Sequence, residues 1–405
     1  MVVGAGAAGT MAAIFAAEGA RAVRLLESTP NGGRKIVISG GGRCNVLPSR
    51  AQSSQFVTAS SSNTLKKILL SWPLADQRRF FEETLEIPLA LEEETGKLFP
   101  VSNRSRDVRD ALFDLAHRRG VEIAFDTRVA GLKPPVGDRS WRVVIDDGAE
   151  VPAAAVVLAT GGLSVPASGS DGAGLRIATR LGHTIHPTYP ALTPLVADPP
   201  PHADLAGISL AVELTAPLAR GRVRTRGGFL FTHRGYSGPA VLDISHLAVL
   251  SEMDGGRPQE ILVRWTDAGE PEWDRRLQEG GAGEVGPLVR RHLPDRLADR
   301  LVREAGIDSA RPLAGLRREE RRALVEMLVR YPLPWTGDEG YKKAEVTGGG
   351  VALSEVEPRT LESRLRPGLF LCGEMLDAFG PIGGYNFLWG WATGRAAGLG
   401  AGSSP

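Results

Sequence analysis

The sequence predicts an α/β fold built on a doubly wound parallel sheet, and three features of the chain carry this prediction. The first is the run Gly4-x-Gly6-x-x-Gly9, which follows an apolar strand and opens an Ala-rich helix. The second is an apolar stretch that starts at Ala22 and ends in the carboxylate of Glu27. The third is an alternation of helices and strands in which the strands end in glycine turns. Such sheets bind ligands at the carboxyl ends of their strands.

The glycines at the start of the chain predict a dinucleotide-binding turn. Gly4 permits a tight turn, Gly6 allows the backbone to approach a pyrophosphate, and Gly9 allows a helix to pack closely on a strand. The helix that follows offers free N–H donors and a partial positive charge at its first turn. Glu27 comes about 20 residues after the glycines, where a carboxylate accepts hydrogen bonds from an adenosine ribose. A chain with 50 glycines contains such a spacing easily by chance, but here a strand, a helix and a carboxylate accompany it and support the nucleotide-binding interpretation.

Composition limits the class of protein. The 405 residues exceed the usual size of one domain, about 100–200 residues, so two or three domains are expected. Hydrophobic residues make up 42% of the chain and charged residues 23%, which is ordinary for a globular protein. The net charge of +1 gives no general attraction to nucleic acid or to anionic membranes, although it does not exclude a local patch.

Targeting and redox signals are weak. No apolar run approaches the ~18 residues of a membrane span, and the N-terminus leads directly into a fold element, so we expect a cytoplasmic protein. Cys44 and Cys372 are far apart, which argues against a disulfide framework and against a dithiol reductase. His183 and His186 have no nearby Cys or carboxylate at metal-ligand spacing, so no metal site is expected.

Changes in residue composition and in the predicted secondary structure divide the chain into three segments. Residues 1–189 form the first segment of the dinucleotide-binding domain. Residues 190–341 begin with many prolines and short alternating strands and continue into a helical block, which predicts an inserted domain made of a β unit and a small helical part. Residues 342–405 return to glycine-rich turns and contain an apolar strand and a terminal helix. The dinucleotide-binding domain is therefore predicted to be discontinuous.

Local patterns predict individual elements. The segment 31–45 is rich in glycine and cations and is expected to be a loop around a packed Ile36–Ile38, with Arg34, Lys35 or Arg43 against phosphates. Further predictions are helices over 64–91 and 107–119, strands over 121–125, 140–146 and 151–160, strands over 209–214 and 229–232, and a helical block over 287–330.

Four motifs together resemble those of the bacterial BaiN/RdsA-type flavoproteins. They are Ser39–Asn45, Phe231–Pro239, Glu345–Gly350 and Gly373–Phe387, in that order along the chain. This family is also known as aminoacetone-oxidase-like or NAD(P)/FAD-dependent oxidoreductases, and its members share the glutathione-reductase-like FAD fold. The resemblance covers essentially the whole chain. It implies a Rossmann-like FAD-binding domain interrupted by the inserted domain.

The resemblance also implies which residues bind FAD. It assigns the first glycines to the pyrophosphate, Glu27 to the ribose, the 34–45 loop to the length of the cofactor, Thr160 and Gly161 to the adenosine half, and the last motif to the ribityl chain and isoalloxazine. A helix beginning after Gly384 would aim its amides at the pyrimidine edge of the flavin. Leu388 stands where the family often has Gln. The full set of expected cofactor-binding residues is Gly4, Gly6, Ala7, Ala8, Gly9, Glu27, Arg34, Lys35, Ser39, Gly40, Gly42, Arg43, Asn45, Val129, Thr160, Gly161, Gly373, Glu374, Gly384, Tyr385, Asn386 and Phe387.

Three residues are candidates for catalysis, each with a structural alternative. Arg43 contacts cofactor or an anionic substrate, or it braces its loop. His233 donates a proton, or it supports a tight turn. Tyr385 donates a proton or stacks near the ring, or it only packs. For Cys44 a packing role is favoured over a reactive thiol.

The predicted function is an FAD-dependent oxidoreductase that exchanges a hydride between flavin and a small organic substrate. The resemblance suggests an NAD(P)H-dependent reductase of an activated double bond, and it also carries an amine-oxidase name. Gly172-Ala-Gly174 lacks a third glycine, so any nicotinamide is expected to dock transiently over the flavin. The rivals are a nucleic-acid-modifying flavoprotein, disfavoured by near-neutral charge and 6% aromatic residues, and a non-catalytic flavin sensor. A small-molecule partner is expected, nucleic acid and membrane are not, and the oligomeric state stays open.

Overall fold

The computed structural model describes residues 1–19, 22–137 and 140–403. The chain divides into two compact units, residues 1–190 together with the chain from Glu345 onwards, and residues 191–344. The divisions predicted from the sequence, after residues 189 and 341, lie next to these. The first unit is therefore assembled from two separated segments, and the second unit is one continuous stretch.

The first segment of the first unit is made of strands and helices, and its last strand ends at Ala191, one residue beyond the unit boundary. They are β1 Val2–Val3, α1 Ala7–Ala16, β2 Arg24–Leu26, α2 Arg34–Gly42, β3 Leu47–Pro48, α3 Ser62–Leu70, α4 Leu74–Arg79, β4 Leu89–Glu92, β5 Lys97–Pro100, α5 Ser105–Arg118, β6 Glu122–Ala124, β7 Val129–Lys133, β8 Trp141–Ile145, β9 Glu150–Ala153, β10 Val156–Leu158, α6 Ala173–Arg180 and β11 Ile185–Ala191.

The second unit follows, and the chain then returns to the first. The second unit contains β12 Leu195–Val196, β13 Ser209–Pro217, β14 Arg222–Phe231, β15 Gly235–Ser237, α7 Pro239–Met253, β16 Leu262–Arg264, α8 Glu270–Glu279, α9 Val285–Arg290, α10 Asp295–Glu304, α11 Arg318–Val329, β17 Tyr331–Pro332 and β18 Gly337–Asp338. The returning segment contains β19 Val346–Val351, β20 Leu369–Leu371 and α12 Tyr385–Ser403.

A five-stranded parallel sheet forms the centre of the first unit, in the order β6-β2-β1-β10-β20. Val2 is level with Leu25 on one side and with Val157 on the other, so the short first strand is held between two neighbours. β20 comes from the returning segment and pairs with β10. The predicted fold class, a doubly wound α/β sheet with an additional β-rich and helical domain, is confirmed.

Small residues bring α1 and α12 into close contact. A Cβ added to Gly394, Gly398 or Gly402 would lie 2.3, 2.4 or 2.8 Å from a backbone oxygen of α1. The opposing oxygens belong to Ala8, Ala12 and Ala16. Only glycine permits this approach, and the fourfold spacing keeps all three glycines on one face of α12. The contact ties the terminal helix to the first helix of the chain.

The second unit is a seven-stranded sheet in the order β17-β16-β13-β14-β15-β12-β18, with antiparallel pairings. Its core face packs on α7 and on aromatic side chains, among them Phe229, Phe231 and Trp265. His202 is buried here, and Glu304 lies beside it. Burial raises the pKa of Glu304, but hydrogen bonds from neighbouring side chains, His202 foremost, outweigh burial and lower this pKa to about 2.

The segment 31–45 differs from its prediction as a loop, because its first half is the helix α2. Gly33 precedes the helix in the left-handed conformation with φ +69°, and Ile36 is buried in the core. Regular helical geometry stops before Ser39, whose ψ is 151°, and Gly40 follows with φ +56°. The loop prediction was wrong for this half because one buried isoleucine outweighed the glycine content.

The predicted strand over 151–160 is also wrong in detail, because it is two strands in different sheets. β9 is an edge strand of the antiparallel sheet β7-β8-β9, and β10 lies inside the parallel sheet. Pro152 has no N–H group and therefore suits an edge. The continuous apolar run concealed the change of sheet at Ala154 and Ala155.

The other predicted elements are present, with shifted ends. The helix predicted over 107–119 is α5, and the predicted inserted strands lie in β13 and β14. The 64–91 stretch is helical only in part, since Pro73 separates α3 from α4 and β4 begins at Leu89. Among the helices of the described residues, none is long and apolar enough to cross a membrane.

Candidate functional site

The predicted cofactor residues converge at the carboxyl edge of the parallel sheet. Gly4 follows β1, Glu27 follows β2, Thr160 lies two residues after β10, and Gly373 lies two residues after β20. Because parallel strands end at the same edge, these four positions face one region. The site assignments themselves remain predictions, and the contacts of each residue show what it can offer a ligand.

Three glycines in the first turn serve different purposes. Gly4 has φ +101°, and a Cβ there would lie 2.6 Å from the oxygen of Ala159. A Cβ on Gly9 would lie 1.8 Å from the oxygen of Gly4. Both glycines are therefore required by the protein itself. A Cβ on Gly6, in contrast, meets nothing within 4 Å, so this glycine keeps clear a space that no protein atom occupies.

The groups around that space suit a phosphate ligand. Gly6 is the N-cap of α1 and makes no side-chain capping bond, and the first N–H groups of a helix have no intrahelical acceptor. Within the described part of the chain, the hydroxyl of Thr160 is buried with no hydrogen-bond partner and lies beside Gly174 of α6. The free donors and the open approach at Gly6 together fit the pyrophosphate of a dinucleotide.

Glu27 is 8% exposed and already has protein partners. Its Oε2 accepts from the N–H of Ala5 at 2.8 Å. Its Oε1 accepts from the N–H and hydroxyl of Thr29 at 2.9 and 2.7 Å. A carboxylate offers about four acceptor positions, so Oε2 keeps capacity for a ribose hydroxyl. Glu27 also braces the turn that follows β1, a role that the sequence pattern did not indicate.

A charged network surrounds Glu374. Lys35 Nζ donates to Glu374 Oε2 at 2.6 Å and to Ser164 Oγ at 2.6 Å. Glu374 Oε1 accepts from Ser164 Oγ at 2.6 Å and from the N–H and hydroxyl of Thr347 at 3.1 and 3.0 Å. The carboxylate is thus oriented by the protein. Sequence reasoning missed Ser164 and Thr347, whose only signals were their places after Gly161 and inside the 345–350 motif.

The basic residues of the α2 segment differ in their contacts. Arg34 donates to Asn31 Oδ1 at 3.0 Å and to the oxygen of Ala167 at 2.9 Å. Arg43 pairs with Glu92 at 3.0 Å and lies 4.0 Å above the ring of Phe99, so its side chain braces the β4–β5 hairpin. Ser39 Oγ donates to a helix carbonyl at 2.8 Å. The neighbouring glycines Gly41 and Gly42 have open space at their Cβ positions, whereas a Cβ on Gly40 would approach the ring of Phe99 at 3.0 Å.

A cavity of about 350 Å³ lies beside this segment. Three arginines and several apolar side chains line it, among them Arg34, Arg106, Arg109, Val37 and Ile38. Its wall includes Arg34, one of the predicted cofactor residues.

The start of α12 is shaped by protein contacts. Gly384 has φ +91°, and a Cβ there would lie 2.6 Å from the backbone of Leu47. The backbone of β3 therefore requires glycine here, and the predicted contact of Gly384 with the flavin stays a prediction. With its amide oriented to satisfy both groups, Asn45 accepts from the N–H of Gly384 at 3.1 Å and donates to Leu47. The amide of Asn386 bonds both backbone groups of Gly380, at 2.9 and 3.0 Å.

α12 also fixes the turn after β20. Thr393 Oγ1 accepts from the N–H of Gly373 at 3.0 Å, and Trp389 Nε1 donates to the oxygen of Gly373 at 3.1 Å. A Cβ on Gly390 would lie 3.8 Å from Ala7 Cβ, so the second turn of α12 lies beside the first turn of α1. Phe387 stacks on a tryptophan one turn along at 5.3 Å. The amino ends of two helices thus frame the predicted site.

Tyr385 and His233, the two candidate proton donors, differ in their surroundings. The hydroxyl of Tyr385 donates to the oxygen of Arg50 at 3.0 Å and accepts from Gln55 at 2.9 Å. His233 is exposed in the turn between β14 and β15 of the second unit.

Burial raises the pKa of the Cys44 thiol to about 12, which keeps it protonated and agrees with the packing role. Val129 is buried at the start of β7.

Ser60, His186 and Asp377 superficially suggest a hydrolase triad. Ser60 Oγ donates to Asp377 Oδ2 at 2.7 Å, and His186 Nε2 lies 3.3 Å from the same hydroxyl. A triad histidine uses one nitrogen for the serine and the other for the carboxylate, whereas here Nε2 faces both groups. The cluster is a structural brace. The described residues contain no group of three side chains suited to hold a metal ion.

The family model for the HI0933-like protein Rossmann domain matches residues 1–400. The chain belongs to this family. A curated relative in Clostridium scindens, a 3-dehydro-bile acid delta(4,6)-reductase, is 32% identical over 100% of this chain and 99% of its own. The ribosomal RNA dihydrouridine synthase of Escherichia coli is also 32% identical, over 97% of this chain and 95% of its own.

Solved structures support the same fold for this HI0933-like protein. A 3-ketosteroid-delta4-(5alpha)-dehydrogenase from Rhodococcus jostii has a TM-score of 0.53 at 16% identity, covering 99% of this chain and 96% of its own. A 3-ketosteroid delta1-dehydrogenase from Sterolibacterium denitrificans has a TM-score of 0.52 at 13% identity, covering 100% and 99%. The predicted family and the enzyme class, an FAD-dependent oxidoreductase, are confirmed.

Proposed function

We propose that this protein reduces a carbon–carbon double bond conjugated with a carbonyl group. The observation that carries the proposal is the pair of neighbouring helix amino ends, α1 and α12, with the oriented Glu374 at the turn after β20. The first N–H groups of α1 suit the pyrophosphate, and the positive amino end of α12 suits an electron-rich ring edge. FAD supplies the two-electron chemistry when bound, and the protein supplies its orientation and electrostatic environment.

The curated relatives support reduction as the direction. The name of the Clostridium enzyme and that of the Escherichia coli enzyme both describe hydrogen added across a double bond. We infer the same reaction type for this chain: the substrate gains a hydride and a proton, and the reductant loses two electrons.

We further propose NADH or NADPH as a transient electron donor. Gly172 is the N-cap of α6, and a Cβ on Gly174 would lie 1.9 Å from Thr160 Oγ1, so this glycine pair has a packing role in the first unit. A single nucleotide fingerprint predicts that donor and substrate use one site in turn. Ping-pong kinetics and weak nicotinamide affinity follow from this arrangement.

Anaerobic mixing tests the proposal. The purified yellow protein is mixed with NADH or NADPH, the loss of flavin absorbance is followed, and a steroid enone is then added as acceptor. Flavin reduction by a nicotinamide, and parallel lines in steady-state plots at several enone concentrations, are expected. If small amines reduce the flavin and neither nicotinamide does, the protein acts as an amine oxidase and the reductase proposal fails. A flavin that exchanges electrons with none of these compounds would indicate a sensor.

A second candidate substrate is uridine in RNA. The Escherichia coli and Haemophilus influenzae relatives are named ribosomal RNA dihydrouridine synthases. The observation that favours this candidate is a row of arginines on β14 in the second unit. The sequence-based expectation of no nucleic-acid partner used the net charge of the whole chain, which does not report on a local face. Mass spectrometry of RNA after incubation with the enzyme and NADPH tests it.

A further inference from the structure

The sheet of the second unit has one apolar face and one basic face. Val212, Leu214 and Ala216 of β13 are buried on the face that packs on α7. The intervening positions on β13 and β14 point to the opposite face. On β14 that face carries Arg222 and Arg224, and Arg226 continues the row. All three arginines are exposed.

Their cross-strand neighbours leave much of this charge uncompensated. Arg222 is level with Pro217 and Arg224 with Thr215, and only Arg226 is level with a carboxylate, Glu213. An ordinary solvated sheet face pairs opposite charges across its strands, and like charges at successive outward positions repel one another. A bound anion would relieve this repulsion along the β14 row.

Neighbouring residues extend the basic face. Arg220 is exposed in the turn before β14, and Arg264 of β16 lies on the same face, level with Glu213. Glu213 contacts Arg264 at 3.1 Å and Arg224 at 3.9 Å, and Asp267 pairs with Arg226. Three of the five arginines thus share two carboxylates. In the part of the chain that is described, no carboxylate forms an ion pair with Arg220 or Arg222.

The shape of the face suits a phosphate backbone. Outward side chains on a strand repeat every ~6.8 Å, so each long arginine can reach a different phosphate. The outward positions of β13 level with Arg222 and Arg224 are Pro217 and Thr215, and beyond Arg226 they are Ala211 and Ser209, so apart from Glu213 no long side chain of β13 stands on this face. Arginine binds phosphate in a bidentate manner, which favours it over lysine for this purpose.

We propose that the face formed by Arg220, Arg222, Arg224, Arg226 and Arg264 binds the phosphate backbone of a structured RNA substrate. This inference rests on the second candidate substrate proposed above, uridine in RNA. The face contributes binding to the RNA backbone, and the chemistry is assigned to the predicted FAD site of the first unit. Binding is electrostatic, so its affinity falls steeply as salt concentration rises.

Fluorescence anisotropy of the full-length holoprotein with a fluorescein-labelled, uridine-containing RNA hairpin tests the proposal. The test variant R220A/R222A/R224A removes three charges and leaves the Arg226–Asp267 and Arg264–Glu213 pairs intact. The matched control R275A/R318A/R322A removes three exposed arginines from α8 and α11. We expect the test variant to bind at least tenfold more weakly at low salt, with a log–log salt slope smaller by about 2, and the control to bind like the wild type.

Three outcomes overturn the proposal: equal affinity and salt slope in test variant and wild type, equal loss in test variant and control, or equal binding of duplex DNA with the same arginine dependence. Circular dichroism and FAD content of each variant show that folding is unaffected. Enone turnover with NADPH, measured in parallel, should be unchanged in the test variant. Arginine-dependent RNA binding without dihydrouridine formation would leave the binding face in place and refute the RNA substrate alone.

Discussion

Replacing Gly6 with valine separates cofactor binding from folding at the first glycine turn. Gly6 has φ −81° and ψ −170°, an extended conformation that valine adopts readily. A Cβ at this position meets no protein atom within 4 Å. We therefore expect Gly6→Val to fold. Its methyl groups fill the space through which a pyrophosphate would reach the first N–H groups of α1.

The size of the effect follows from the hydrogen bonds that are lost. One hydrogen bond to a charged group contributes ~1.5–3 kcal/mol. Losing one such bond raises the Kd for FAD about 10- to 150-fold. The free energy of unfolding of the apoprotein should change by no more than about 1 kcal/mol, because valine at an N-cap replaces a somewhat better residue.

The second unit offers a matched control. Gly269 is the N-cap of α8, with φ −87° and ψ 178°, and a Cβ there would lie 3.8 Å from the nearest atom, on Pro271. Gly269→Val therefore makes the same substitution in the same backbone conformation, away from the predicted site. FAD titration by flavin fluorescence and urea unfolding of both apoproteins are the measurements. Equal FAD affinity in the two variants would refute the assignment of the pyrophosphate to Gly6.

Three further predictions concern carboxylates. Glu27→Ala should lower both apoprotein stability and FAD affinity by ~1–3 kcal/mol each, since the buried N–H of Ala5 loses its acceptor; urea unfolding and FAD titration measure the two, and an unchanged Kd would exclude a ribose contact. Glu374→Gln should reduce FAD occupancy and destabilise the apoprotein, because Lys35 loses its counter-charge. Adding Lys35→Met to this variant should restore the stability of the apoprotein but not FAD binding. Thermal unfolding and flavin content measure the two effects. Glu304 has a pKa of about 2, below its ordinary 4.5, so its ionised form stabilises the folded state above pH 4.5. This contribution, up to ~3 kcal/mol, is lost as the pH falls towards 2. Glu304→Gln should therefore flatten the acid unfolding curve followed by near-UV circular dichroism, and a curve identical to that of the wild type would contradict the lowered pKa.

The sequence predicted those parts of the fold that depend on local patterns. Glycines at positions 4 and 9 are dictated by backbone contacts only a few residues away or on the adjacent strand, and α5 follows from its apolar spacing. The helix α2 and the division between β9 and β10 were mispredicted. Both depend on burial by distant residues, which a local pattern does not contain.

The same distinction applies to the candidate site. The positions of Gly6 and Glu27 relative to their strands were readable from spacing. The partners of Glu374 were not, because Ser164 and Thr347 come from chain segments about 200 and 30 residues away and meet only in the folded sheet. The close contact of Gly384 with the backbone of Leu47 was not readable either, because the two residues are far apart in sequence.

The discontinuous first unit has a consequence for the order of folding during synthesis. Domains emerging from the ribosome fold from the N-terminal side as units, and the second unit is one continuous stretch that is complete once residue 344 has emerged. The parallel sheet must wait for β20, and until then β10 presents an unpaired apolar edge. Exposed strand edges of this kind associate with other chains. A nascent chain that stalls before Leu369 therefore carries a complete second unit together with an incomplete parallel sheet whose open edge favours aggregation.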